Sequence, residues 1–193
     1  MGEPRTAPFL KLGTLLMGNI EPMSYRGSLA AFDAFAVNGR RVFMETCWIP
    51  VLGGGGVDAF IAAMETAASP GCAVFTHDLK GFATRVSDDA TAFGLRRKHV
   101  LVDILATCAA GSDADEERRH RQWARCTRKS FDSVAIPGGY PNLLASDDDP
   151  NRILMSYGAN AERLIGAKRK YDPDNLFNSA IPLPNPSALG VAA

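Results

Sequence analysis

Nothing in this 193-residue chain is apolar for long enough to cross a bilayer. Neither sign of charge dominates. Lys plus Arg and Asp plus Glu both number 21, so no global field draws the chain to nucleic acid or to an anionic membrane surface. Cysteine is sparse: Cys47, Cys72, Cys108 and Cys126 are widely spaced, with no Cys-x-x-Cys and no nearby histidine pair. That spacing argues against zinc and disulfides and reads as buried, reduced thiols, which suits a cytoplasmic protein with no metal site. Glu3, Pro4 and Arg5 precede a short apolar stretch, without a cleavable signal pattern. The four glycines at 53–56 invite a phosphate-loop reading, but no Gly-Lys-Ser/Thr follows and Gly-x-Gly-x-x-Gly spacing is missing. A flexible strand-to-helix turn is the stronger reading. Nothing resembles a Ser-His-Asp nucleophile arrangement, and no internal repeat occurs.

What remains is ordinary globular composition, 46% hydrophobic and 22% charged, in a chain long enough for one good core. Residues 9–17 could form a strand. Asn38-Gly39 signals a hairpin between residues 35–37 and the strand expected at 41–52. Alternation there puts Val42, Met44, Thr46 and Trp48 on one face and Phe43, Glu45, Cys47 and Ile49 on the other. A helix is expected at 57–67, with Phe60, Ile61, Met64 and Ala67 as its apolar stripe. Strands follow at 72–79 and 99–107, with residues 81–86 pairing beside the first. A charged helix at 113–131 is anchored by Trp123, Thr127 and Phe131. Its run from Glu116 to Arg121 reads as a solvated face. The pattern predicts an α+β fold, an antiparallel sheet with helices on one face, followed by a C-terminal helix and tail. The domain division expected is 1–135, 136–184 and a disordered tail at 185–193.

Asp103 breaks the apolar run Val-Leu-Val-Asp-Ile-Leu-Ala on what should be a central strand. Burying a carboxylate is costly unless it is paired or faces a polar cavity, and burial raises its pKa toward the range a general base needs. The alternatives are pairing with a nearby arginine such as Arg96, or a solvent-facing position. His77 lies on a strand, where a lone histidine is more often structural than catalytic. Gly138-Gly139 would let the backbone approach a neighbour closely before Tyr140-Pro141-Asn142. Asn142 by itself reads as a turn residue. Asp149-Pro150 offers a helix cap, Asn160 is placed to cap a second segment, and Asp172-Pro173 stops it.

The order Tyr140-x-Asn142, Tyr157-Gly-x-Asn160-x-x-Arg163-Leu, Lys168-x-Lys-Tyr-Asp-Pro-x-Asn-x-Phe177 and Ile181-Pro resembles the C-terminal signature of berberine-bridge-enzyme-like flavin oxidoreductases. These are FAD-linked oxidases of the vanillyl-alcohol-oxidase type. Pro22-Met-Ser-Tyr25 and Thr91-Ala-Phe-Gly-Leu-Arg96 are similar to the same family's substrate domain. The resemblance implies a ferredoxin-like substrate domain, FAD as cofactor and a small organic substrate oxidised by hydride transfer. It places Tyr140 and Asn142 on the isoalloxazine side of FAD; His77, from its place on a strand, and Arg96 are expected to line the substrate pocket. Many members have a second tyrosine as base after the asparagine. Leu143 stands there, which leaves Asp103 as the base. The family's FAD-binding domain has no counterpart in these residues, so the chain is expected to work with a separate or missing flavin domain as a fragment, a truncated product or one piece of a split enzyme. The alternative is a non-catalytic α+β module that binds a partner or ligand.

Overall fold

Three stretches rich in β-branched and aromatic residues form the sheet: β1 (Arg40–Ile49), β2 (Cys72–Leu79) and β3 (His99–Ala109). They come from a computed structural model that describes residues 7, 22–33, 38–145, 147–178 and 183. The strand expected at 9–17, the first hairpin arm at 35–37 and the tail at 185–193 lie outside those residues. The chain falls into two compact units, Met1–Gly39 and Arg40–Ala193. In the first, residues 25–33 form α1 (Tyr25–Asp33), and the Ser24 hydroxyl accepts from the Gly27 N–H at 3.0 Å.

In the second unit the strands are ordered β1-β3-β2, both neighbours antiparallel to β3. The register sets Thr46 and Phe75 on either side of Asp103, and Cys47 and Thr76 on either side of Val102. Along β3 the side chains therefore divide in two. Val100, Val102, Ile104 and Ala106 are buried on one face with Cys47, Ile49 and Cys72. Two helices cover that face, α2 (Gly55–Glu65) and α3 (Ala114–Ser130). This is the α+β arrangement of an antiparallel sheet with helices on one side.

α3 is built as its sequence dictates. The Asp113 side chain accepts from the Glu116 N–H at 2.8 Å, acids fill the first turn, and Arg128 and Lys129 fill the last, all complementing the helix dipole. Trp123, Thr127 and Phe131 are buried. The Trp123 indole donates to the Ala63 carbonyl at 3.1 Å, and Phe131 meets Phe60 edge-on at 5.5 Å.

Four local expectations need correction. α2 turns Gly56, Ala59 and Ala63 to the core, while Ile61 and Met64 stay exposed. Small residues let the helix sit close to the sheet, so of the expected stripe Phe60 and Ala67 pack against the core while Ile61 and Met64 fall outside the contact. Residues 81–85 form a 3₁₀ turn (Gly81–Arg85) in place of a strand, because Gly81 takes φ +76° and the Thr84 hydroxyl donates back to its carbonyl. His120 is buried within the charged run: Nδ1–H donates to the Glu116 carbonyl at 2.8 Å, and Nε2 accepts from the Ser69 hydroxyl at 2.8 Å. Cys126 is exposed; Cys47, Cys72 and Cys108 are buried, and burial pushes the Cys47 thiol up to about 12.

The C-terminal signature folds as α4 (Pro150–Tyr157), a 3₁₀ turn (Gly158–Asn160) and α5 (Ala161–Tyr171). Asp149 caps α4 by accepting from the N–H groups of Asn151 and Arg152 at 2.9 and 3.1 Å. Asn160 does not cap α5 with its side chain. Its amide reaches across to the carbonyls of Asp88 and Thr91 at 2.7 and 3.2 Å, and the Arg163 guanidinium donates to the Asp89 carbonyl at 2.7 Å. The Tyr-Gly-x-Asn-x-x-Arg motif is thus a clamp on the 87–91 turn. The Asp172 carboxylate accepts from Lys168 Nζ and from the N–H groups of Leu176 and Phe177, which closes the stop after α5. Asn160→Ala, with two hydrogen bonds removed, should lower stability by roughly 1–2 kcal/mol. Limited proteolysis should then cut within residues 87–96 faster than in the parent; an unchanged cleavage pattern would show that the clamp is dispensable.

Candidate functional site

The second face of the sheet, away from α2 and α3, holds the candidate site. Leu79 of β2, Leu101 and Asp103 of β3, and Trp48 of β1 lie on it by alternation. Trp48, Leu101 and Ile136 form a small buried cluster there, capped by Phe93, Leu95 and Tyr140. Beside that cluster opens a cavity of about 770 Å³, lined by His77, Phe93, Arg96, Leu101, Asp103, Tyr140, Asn142, Leu143 and Tyr157 among others. All five site residues expected from sequence, at 77, 96, 103, 140 and 142, line this one cavity. Its walls are mainly apolar, the surroundings in which a few polar groups orient a small organic molecule.

Asp103 is held by His77, one strand away: Nε2 to Oδ2 is 2.9 Å, with side chains 58% and 15% exposed for His77 and Asp103. Arg96, the alternative partner, takes no part. The other carboxylate oxygen, Oδ1, is buried without a hydrogen-bond partner among the described residues. Burial raises the Asp103 pKa above its ordinary value, partly offset by the charge and hydrogen bond of His77.

A glycine pair sets Tyr140 and Asn142 in place. Gly138 adopts φ +98°, and a Cβ there would lie 2.9 Å from backbone atoms of Met155 and Ser156. A Cβ on Gly139 would meet the Arg152 guanidinium at 2.6 Å. That guanidinium cannot retreat easily, because it bonds the Thr46 carbonyl and Asp148. The Gly139 N–H donates to the Ser156 hydroxyl at 2.8 Å, and the Tyr140 N–H to the Thr46 hydroxyl at 3.4 Å. The loop is therefore threaded between β1 and α4. Beyond it, the Asn142 amide donates to the Tyr140 hydroxyl at 3.0 Å.

Sequence reasoning missed Phe93, Tyr157 and His99. Phe93 packs edge-on against Tyr140 at 6.1 Å and lies under the Arg96 guanidinium at 5.1 Å. Tyr157, part of the C-terminal signature but given no role there, lines the cavity, and burial raises its phenol pKa. His99 opens the strand expected at 99–107. It is buried, donates from Nδ1 to the Arg97 carbonyl at 2.7 Å, and burial lowers its pKa, so it stays neutral. The strand alternation that placed Asp103 could have flagged His99, because both share a face.

A second cleft of about 610 Å³ runs along the outer edge of β1. At its centre Glu45 faces Arg125, Arg128 and Arg152 at 3.7, 3.8 and 4.0 Å, and burial raises its pKa first, with Arg152 pulling it back. Such networks are usually structural.

Comparison with known proteins gives the same direction. The family described as "Berberine and berberine like" matches residues 146–184. FAD-linked oxidoreductase aurO of Gibberella zeae is 25% identical over 169 residues, covering 86% of this chain and 32% of that protein. The uncharacterized FAD-linked oxidoreductase YgaK of Bacillus subtilis is 31% identical over 114 residues, 59% of this chain and 24% of that one. This chain resembles the berberine-bridge-enzyme-like, FAD-linked oxidoreductases. The solved berberine bridge enzyme of Eschscholzia californica superposes with a TM-score of 0.59 at 20% identity, over 76% of this chain and 34% of that one. A berberine-bridge-enzyme-like protein of Arabidopsis thaliana gives 0.63 at 14% identity, over 77% and 35%. This chain thus shares their fold, and it spans about a third or less of the length of these relatives. Among the described residues no helix is long and apolar enough to cross a membrane.

Proposed function

We propose that the chain forms the substrate side of an FAD-dependent oxidoreductase that oxidises a small organic molecule. The observation that supports this best is the shared cavity, with Asp103, Tyr140 and Asn142 on an apolar wall. FAD, when bound, supplies the hydride acceptor. Asp103 takes the proton that a substrate hydroxyl gives up as the adjacent C–H bond yields its hydride. His77 orients the carboxylate through Oδ2. Phe93, Leu101 and Leu143 exclude water and hold the apolar body of the substrate.

The lining fits the flat ring end of the cofactor better than its diphosphate. Tyr140 and Asn142 offer polar groups beside apolar walls, while the lining includes no glycine and one guanidinium, Arg96. Diphosphates need backbone N–H cradles or clustered cations. The chain alone should therefore bind FAD weakly or not at all. Absorbance titration with FAD checks this, and a stoichiometric yellow cofactor copurifying with the chain would show that the diphosphate contacts lie within it.

A separate flavin domain is the partner this reading requires. Val42, Met44 and Phe75, on the same sheet face as Asp103, are exposed apolar side chains suited to being covered by it. The test is to join the chain to the flavin-binding domain of the Bacillus subtilis relative and add, without oxygen, a panel of alcohols and phenols with and without a carboxylate group. Bleaching of the flavin band is expected with at least one compound. A hybrid that folds, holds FAD and is reduced by none of them would favour a non-catalytic module.

A further inference from the structure

The cavity also indicates which molecules it selects, an inference that rests on its being a substrate site. Three arginines of this unit are half-buried, and two of them, Arg128 and Arg152, face a carboxylate, while arginines without one, such as Arg40, Arg97 and Arg121, are exposed. Arg96, the third, faces none among the described residues, although it lines a mainly apolar cavity. Its Nη2 donates to the Thr91 hydroxyl, its plane lies over Phe93, and its Nε is buried without an acceptor. The one carboxylate in the lining of that cavity, Asp103, is bonded to His77 instead.

A partly buried cation without a counter-ion is unfavourable for folding, and a ligand anion relieves that cost. The arm that holds Arg96 is also fixed beforehand. Asn160 and Arg163 clamp the carbonyls of Asp88, Asp89 and Thr91, five residues or more before the guanidinium, so little ordering remains to be done on binding. Arg97 and Lys98, which follow, are exposed and do not line the cavity.

We propose that the substrate is an organic carboxylic acid with an apolar, ring-sized body, and that Arg96 binds its carboxylate. Guanidinium–carboxylate hydrogen bonds are charge-assisted and directional. Asp103 adds orientation by repulsion: the acid's carboxylate goes to Arg96 and its oxidisable carbon is left toward Asp103. A neutral molecule of the same shape leaves the guanidinium unsatisfied and is disfavoured.

The experiment uses the chain itself, with phenylacetate and 2-phenylethanol as probes, titrated at low ionic strength and followed by NMR shifts of the amides of residues 91–96 and 101–103. Phenylacetate should bind about tenfold to a hundredfold more tightly than the alcohol, the discrimination expected when a buried charged donor is left unpaired. Arg96→Gln should remove that preference while leaving alcohol binding unchanged, and Arg96→Lys, which keeps the charge but not the fork, should restore part of it. Asp103→Asn should keep the preference. Equal affinities in the parent, binding of neither probe at millimolar concentration, or a preference that survives Arg96→Gln would each overturn the proposal. A preference that is present while the flavin hybrid stays unreduced would leave acid recognition standing and sink the oxidoreductase reading alone.

Discussion

Asp103→Asn should lower flavin reduction in the hybrid by roughly two to four orders of magnitude, the usual contribution of a positioned general base. Asparagine keeps the shape and still accepts from His77 Nε2 through its amide oxygen, so the cavity should persist. The parental rate should rise with pH through the raised Asp103 pKa, because only the carboxylate can take the proton, and this limb should vanish in the variant. Stability should move the other way. A carboxyl whose folded-state pKa is raised contributes stability below its unfolded value, and that contribution is lost as pH rises through the folded value. At neutral pH the buried carboxylate therefore destabilises the chain, and the amide removes that penalty. Melting of the chain alone, followed from pH 4 to 8, should show the variant gaining on the parent as pH increases. A parental rate of reduction in Asp103→Asn would make Asp103 structural, whatever its effect on melting.

Gly138→Ala should lower stability by roughly 3 kcal/mol or more. A φ of +98° strains any residue with a Cβ by about 1–3 kcal/mol, and forcing a methyl into a packed contact adds about 1–3 kcal/mol. The atoms it would strike are backbone atoms of α4, which cannot swing away as a side-chain tip could. Chemical denaturation measures the loss, and amide shifts of Tyr140 and Asn142 should move with it. A variant as stable as the parent would mean that the loop can take another path between β1 and α4. Gly158 provides a control: its φ is +53° with open space around it, so Ala there should cost the strain without the collision.

The sheet could be read from the sequence because alternation is a local property. Residues 72–79 match β2, and Phe43, Cys47 and Ile49 fall on the helix-covered face as the period-2 pattern requires. Asp103 was legible for the same reason: one charged residue in an apolar strand identifies itself. Its partner was not, because His77 meets it through a register between β2 and β3 that no local pattern encodes. The stripe of α2 was misassigned because helical spacing gives the period of the apolar residues but not the closeness of the sheet, which favours alanine over isoleucine. Asn160 was taken for a cap for a similar reason. Side chains at helix starts usually bond locally, whereas this one spans to Asp88 and Thr91, far back in the chain.

The alternation of β3 has a consequence for how such a chain can change over generations. Positions 100, 102, 104 and 106 answer to folding, since they face the helices; positions 101 and 103 answer to chemistry, since they face the cavity. Substitutions in one set leave the other almost untouched, so substrate preference can drift through the second set while the first is kept. A deletion of a single residue within the strand has no such freedom. It exchanges the two sets from that point on, carries a carboxylate into the core and an isoleucine into the cavity, and forfeits both properties in one step.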